Sequence, residues 1–265
     1  MKRLFSIAFA LLALAVAEFA MASAVVTTAT GATQVQAGTA PVRPLRVGDR
    51  VNQGDTVSTG AASSLVLKFD DGQVTALTAN SRMTVTNFQY APETQRGNVV
   101  LSLVSGGMRM ITGLIGKAQP QNVAIRAATA TIGIRGSDIS VSLLGGSVAL
   151  TVTDGMATFT VGGQTVTVPV GTGAFLGPNG QVSQGTINQI SSNLSGTPEG
   201  LAVLTTLGGL QGLTTEINKA IPGTPPSGNQ QNTTPGQGTG TGQGTPTGPT
   251  GPTGGSGGGG TGSKN

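Results

Sequence analysis

The stretch Ala127-Ala-Thr-Ala-Thr-Ile-Gly-Ile-Arg-Gly-Ser-Asp138 decides the fold class. Apolar residues alternate with Thr and Gly as far as Arg135-Gly136, and a fresh alternation, Ile139-Ser-Val-Ser-Leu143, begins just beyond. Period-two spacing with Thr and β-branched enrichment marks half-buried strands. The same pattern runs outward through residues 65–69, 83–88, 99–104 and 108–111 on one side, and 148–152, 157–161 and 165–168 on the other. In Met108-Arg109-Met110 the alternation sends both Met side chains to the core and Arg109 outward. Asp70-Asp-Gly72, Asp154-Gly155 and Gly162-Gly163 supply tight-turn signals between the runs. Many short strands at roughly ten-residue spacing mean an all-β domain, whether barrel, sandwich or solenoid. Gly-rich corners favour a solenoid-like or barrel-like stack of short antiparallel strands over residues 33–185.

The flanks have different characters. Lys2 and Arg3, an apolar run over residues 4–17 and the small-x-small triplet Ala22-Ser23-Ala24 read as a Sec-type signal peptide, residues 1–24. Cleavage after Ala24 is expected, with the bond after Ala22 the close alternative. Glu18 shortens the apolar run below the ~20 residues of a membrane span, so no span is expected after cleavage. Residues 186–221 form a helical appendix. Thr197-Pro198-Glu199 reads as an N-cap with a first-turn Pro and acid, and Leu201, Leu204, Leu207, Leu210, Leu213, Ile217 and Ile221 follow as a stripe. Gly208, Gly209 and Gly212 break it into one interrupted helix or two short ones. The appendix is expected to cap the open end of the β domain, or to dock a partner or a second copy of the chain. Residues 222–265 are Gly, Thr, Pro, Gln, Ser and Asn, too polar to bury a core, and are expected to be a disordered tether.

Composition removes several functions. The chain has no Cys, so no disulfide holds the fold. With His also absent, the usual zinc and copper ligands and the Ser-His and Cys-His nucleophile pairs are missing. A sequence pI near 10.0 rests on only 9% charged residues and a net charge of +4. That is no dense basic footprint, and the five aromatics beyond the leader do not cluster with Lys or Arg, so nucleic acid is not an expected partner. Gly113-Leu-Ile-Gly116-Lys117 lacks the spacing and following hydroxyl of a phosphate loop. Asp49, Asp55, Asp70, Asp71, Asp138 and Asp154 sit mostly beside Gly and read as turn caps rather than paired acids. No enzyme activity, cofactor or metal is expected.

The remaining candidates are Arg109, Arg135 and Asp138. Arg135 is expected either to pair with a carboxylate or carbonyls and lock its corner, or to form a recognition surface with Asp138. Here the sequence resembles the FecR domain family from about residue 38 to residue 176. The resemblance rests on Gly48-Asp49, Gly54-Asp-Thr-Val-Ser-Thr-Gly60, Phe69-Asp-Asp-Gly72 and Leu103-Val-Ser-Gly-Gly-Met-Arg109. It continues through Ala128-Thr-Ala-Thr-Ile-Gly-Ile-Arg-Gly-Ser137, Val152-Thr-Asp-Gly155 and Val170-Gly171. Ala127-Ala128 stands where the family usually has Thr-Pro, Ser137 where it has Thr, and Ile139 where it often has Phe. The resemblance implies an all-β, non-catalytic signalling or binding domain that contacts other envelope proteins. Family regulators carry an anti-sigma segment and a membrane span ahead of the domain, where this sequence reads as a signal peptide.

The expected protein is therefore an exported module, periplasmic or at the cell surface, that binds envelope proteins through surface recognition or strand addition at a sheet edge. Two other readings stand beside it. One is a cell-wall or polysaccharide-binding module, which the scarcity of aromatics disfavours. The other is a self-assembling surface protein, which low charge and open β edges would suit.

Overall fold

The computed structural model describes residues 23–196 and 198–221. Residues 1–22 with most of the expected leader, the Thr197 cap and the tail from residue 222 lie outside that description. In chain order the strands are β1 (Ser23–Thr30), β2 (Thr33–Ala37), β3 (Arg43–Pro44), β4 (Arg50–Asn52), β5 (Asp55–Thr59), β6 (Ser64–Phe69), β7 (Val74–Leu77) and β8 (Arg82–Ala91). After them come β9 (Arg96–Ile111), a short helix α1 (Leu114–Ala118), β10 (Val123–Ala127), β11 (Ala130–Leu144), β12 (Ser147–Val161), β13 (Gln164–Pro169), β14 (Thr172–Leu176) and β15 (Val182–Thr186). Three helices follow: α2 (Ile187–Leu194), α3 (Pro198–Gly212) and α4 (Thr214–Ala220). The all-β class expected from alternation holds. The β region starts earlier than residue 33, because β1 precedes that point.

All fifteen strands form one hydrogen-bonded network. It is arranged as two layers joined by three long strands. The first layer runs β3-β2-β5-β8, then residues 96–105 of β9, then β10, residues 130–135 of β11, residues 156–161 of β12, and β13. The second runs β4-β1-β6-β7, then residues 106–111 of β9, residues 138–144 of β11, residues 147–154 of β12, then β14 and β15. Pairing is antiparallel except between β9 and β10, which run parallel. The sheet does not close into a barrel.

The Gly breaks read as strand ends are bends inside continuous strands. Gly106, Gly136 and Gly155 have φ of 84°, 61° and 74°, which an L side chain adopts only with strain. Each lies where a strand passes from one layer to the other. Strands of 15 and 16 residues result, longer than the alternation suggested.

One apolar cluster fills the space between the layers. Met83, Leu101, Ile125, Ile132 and Phe159 enter it from the first layer, and Leu67, Phe69, Met108, Met110, Ile139 and Leu150 from the second, all within 2% of full burial. Phe69 meets Phe88 edge-on across the cluster, centroids 4.9 Å apart at 70°, a favoured aromatic geometry.

The helices lie on the outer face of the second layer rather than at an open end. Ile217 and Ala220 of α4 pack on Val66, Val74 and Ala76. Ile190 and Leu194 of α2, with Val203 of α3, pack on Ala149. The leucine stripe locates this cover only in part. Leu210 is buried, but Val203 takes a core position and Leu201 stays 52% exposed. The chain turns between α3 and α4 at Leu213, past Gly212. Helix α2 did not register in the apolar spacing, although Thr186 and Gln189 form a reciprocal capping box at its start. Among the described residues no helix is long and apolar enough to cross a membrane.

Candidate functional site

The corner at Arg135-Gly136-Ser137 shows how the signature segment works physically. Positive φ at Gly136 and Gly155, on neighbouring strands, breaks the β11–β12 register between Arg135 and Asp138. Side chains replace the ladder bonds lost there. The Ser137 hydroxyl donates to the Met156 carbonyl and accepts from the Met156 amide at 3.0 Å. Thr112 accepts from the Ser137 amide at 2.9 Å and donates its hydroxyl to the Ser137 carbonyl at 2.7 Å. A Cβ at Gly155 would sit 2.4 Å from the Gly136 carbonyl oxygen, so this crossing accepts only glycine. Ser137 and Thr112, not Arg135, lock the corner. Ser137 lies inside the signature run but was not a candidate from sequence, and Thr112 lies in a separate stretch with no periodic signal.

The three candidate residues separate into two places. Arg109 and Asp138 meet on the outer face of the second layer. The guanidinium donates from Nε to Oδ1 at 2.8 Å and from Nη2 to Oδ2 at 2.6 Å, a bidentate pair. Its Nη1 donates to the Thr214 hydroxyl at 2.8 Å, tying the first residue of α4 to the sheet. The Arg109 side chain is only 7% exposed and that of Asp138 15%. Arg109 does leave the core side, as alternation requires, but the helices cover it. Nearby, Ser140 and Ser142 are fully buried on the same strand, with hydroxyls that make no hydrogen bond.

Arg135 stands on the outer face of the first layer and is exposed. There β10, β11 and β12 form a shallow groove of about 440 Å³ lined by Ala124, Thr131, Gly133, Arg135, Thr158 and Thr160. Register explains the dip: Ala124 pairs with Gly133, and Gly133 with Thr158, so small side chains line one row. The next row pairs exposed Arg126 with Thr131, and Thr131 with Thr160. Among the described residues neither Arg126 nor Arg135 makes an ion pair or a side-chain hydrogen bond. The ion pairs there are Arg43–Asp49, Arg109–Asp138 and Lys219–Glu216. Arg126 was not a candidate from sequence. Its spacing from Arg135 carries no motif, and only the register places it on this face.

Among the described residues no group of three His, Cys, Asp or Glu side chains could hold a metal. Asp71, 1% exposed, accepts the Gln73 amide at 3.0 Å and the Ile115 amide at 3.4 Å. Burial pushes its carboxyl above the ordinary value despite those bonds. It braces the turn between β6 and β7 against α1.

This geometry defines an open, two-layer β domain whose exposed first-layer face is polar and basic. Residues 55–158 match the FecR protein family, within the longer stretch on which the sequence resemblance rests. Over that stretch the β module is therefore FecR-like in sequence. No curated protein matches the chain. Two crystal structures of a provisionally assigned anti-sigma factor from Parabacteroides distasonis ATCC 8503, at 2.50 and 1.65 Å, are similar to it at 13% identity and a TM-score of 0.42. The similarity covers 52% and 54% of this chain and 62% and 65% of those chains, under two thirds of their length.

Proposed function

We propose that the protein is a non-catalytic recognition module of the bacterial envelope, exported by its leader, which binds a protein partner through the groove over β10, β11 and β12. The two unpartnered guanidiniums of Arg126 and Arg135, flanking a row of small side chains, carry this reading. A buried cation without a partner is costly, but exposed ones beside a dip in a sheet are available to carboxylates of an incoming chain. An extended acidic segment suits the groove, since a flat sheet face offers contact along its length. The FecR match supports a role in signalling or regulation.

Crosslinked capture from native envelopes tests the proposal, comparing wild type with Arg126→Glu, Arg135→Glu and a double variant of unchanged circular dichroism. Charge reversal is expected to remove a specific protein from the captured set, progressively from single to double variant. The same proteins recovered at the same yield from all four samples would refute it. Asp138 is unsuited to this test, because its loss strips Arg109 of its partner and perturbs the helix cover.

A further inference from the structure

The bond between Ala22 and Ser23 is the processing site, we infer, and the α-ammonium released at Ser23 is held by the Asp70 carboxylate. The inference rests on the export reading above. Sequence offers two small-x-small triplets, one ending at Ala22 and one at Ala24, and slightly prefers the second. Structure separates them. Ser23 is 1% exposed and Ala24 not at all, and Ala24 belongs to the main core. Strand β4 is held to β1 by three residue pairs, Ser23 with Asn52, Ala24 with Val51 and Val25 with Arg50. Cleavage after Ala24 would remove two of the three, empty a core position and leave β4 with one pair. It would also remove the Ser23 carbonyl, which accepts the Asp70 amide at 3.0 Å.

Cleavage after Ala22 costs none of this and strengthens a contact already made. The Ser23 nitrogen already lies 2.7 Å from Asp70 Oδ2, and its hydroxyl 3.4 Å from the same oxygen. Arg50 donates to that hydroxyl. Among the described residues no Lys or Arg pairs with Asp70. Hydrolysis of the preceding peptide bond turns the Ser23 amide into an ammonium in place, so an ordinary hydrogen bond becomes a charge-assisted one.

N-terminal sequencing and intact mass of the protein purified from the envelope fraction test the site. A chain beginning at Ser23 is expected. One beginning at Val25 would overturn this inference and leave export standing, and one retaining Met1 would overturn both. The ammonium contact is tested by urea unfolding of chains starting at Ser23 or at Met21, each with Asp70 or Asp70→Asn. The substitution should shift the unfolding equilibrium about threefold more in the Ser23 chain than in the longer one, the scale of a part-exposed ion pair. Equal shifts in both would show that the charge plays no part.

Discussion

Arg109 illustrates how a polar residue can be mistaken for a surface one. Its position on the strand sends it away from the inter-layer core, and only the helices make it internal. Breaking such a pair leaves an uncompensated buried charge, so Arg109→Ala should cost about 3–5 kcal/mol in urea unfolding. Arg135→Ala, on the exposed face, should stay within about 0.5 kcal/mol of wild type. Asp71 makes a different prediction. Burial raises its folded pKa above the unfolded value of 3.8, so the folded chain keeps a proton that the unfolded chain has already released. Its contribution is therefore most favourable below that value and declines as pH rises toward the folded pKa. The stability difference between wild type and Asp71→Asn, measured from pH 3 upward, should drift against wild type across this window and then level off. A difference independent of pH would contradict the assignment.

At the scale of elements, the strands were legible because alternation follows directly from the pleat. Residues 83–88, 99–104 and 139–143 all lie within observed strands. What alternation could not give was continuity. A glycine in a strand pattern fits a turn, a bulge or a bend, and neighbouring strands decide which it is. Gly155 bends the chain, and a Cβ there would strike the Gly136 carbonyl. Gly155→Ala should cost more than about 2 kcal/mol by thermal or urea unfolding. The helical segment was legible as helical but not by position, since its burial depends on a sheet face formed by residues as distant in sequence as Val66 and Ala149. Ile217 sits on that face at 1% exposure. Ile217→Ala should therefore cost about 2–4 kcal/mol, as a core truncation does. The groove was the least legible feature, because nothing in sequence aligns Arg126 with the row beside Gly133 except the register of β10 on β11.

For the whole molecule, the arrangement of charge over its surface is as informative as the fold. Its acids are largely engaged in turns, strand ends and helix ties: Asp49 with Arg43 and the Arg46 amide, Asp55 with the Asn52 amide, Glu216 with Lys219 and Thr28. Arg126 and Arg135 face solvent on one sheet without a counter-ion among the described residues, which gives a basic face on a weakly charged body.

The three long strands also set how the domain comes apart. Because β9, β11 and β12 each contribute residues to both layers, neither layer can separate without tearing strands that hold the other. Amide exchange should therefore show one cooperative unit, with residues 99–103 and 108–111 of β9 opening at the same free energy under native conditions. Two distinct opening energies for the halves of that strand would rule this out. A load applied at one sheet, whether from a bound partner or from a tether, would pass along continuous backbone into the other, so the module would resist pulling as a single rivet rather than as two plates.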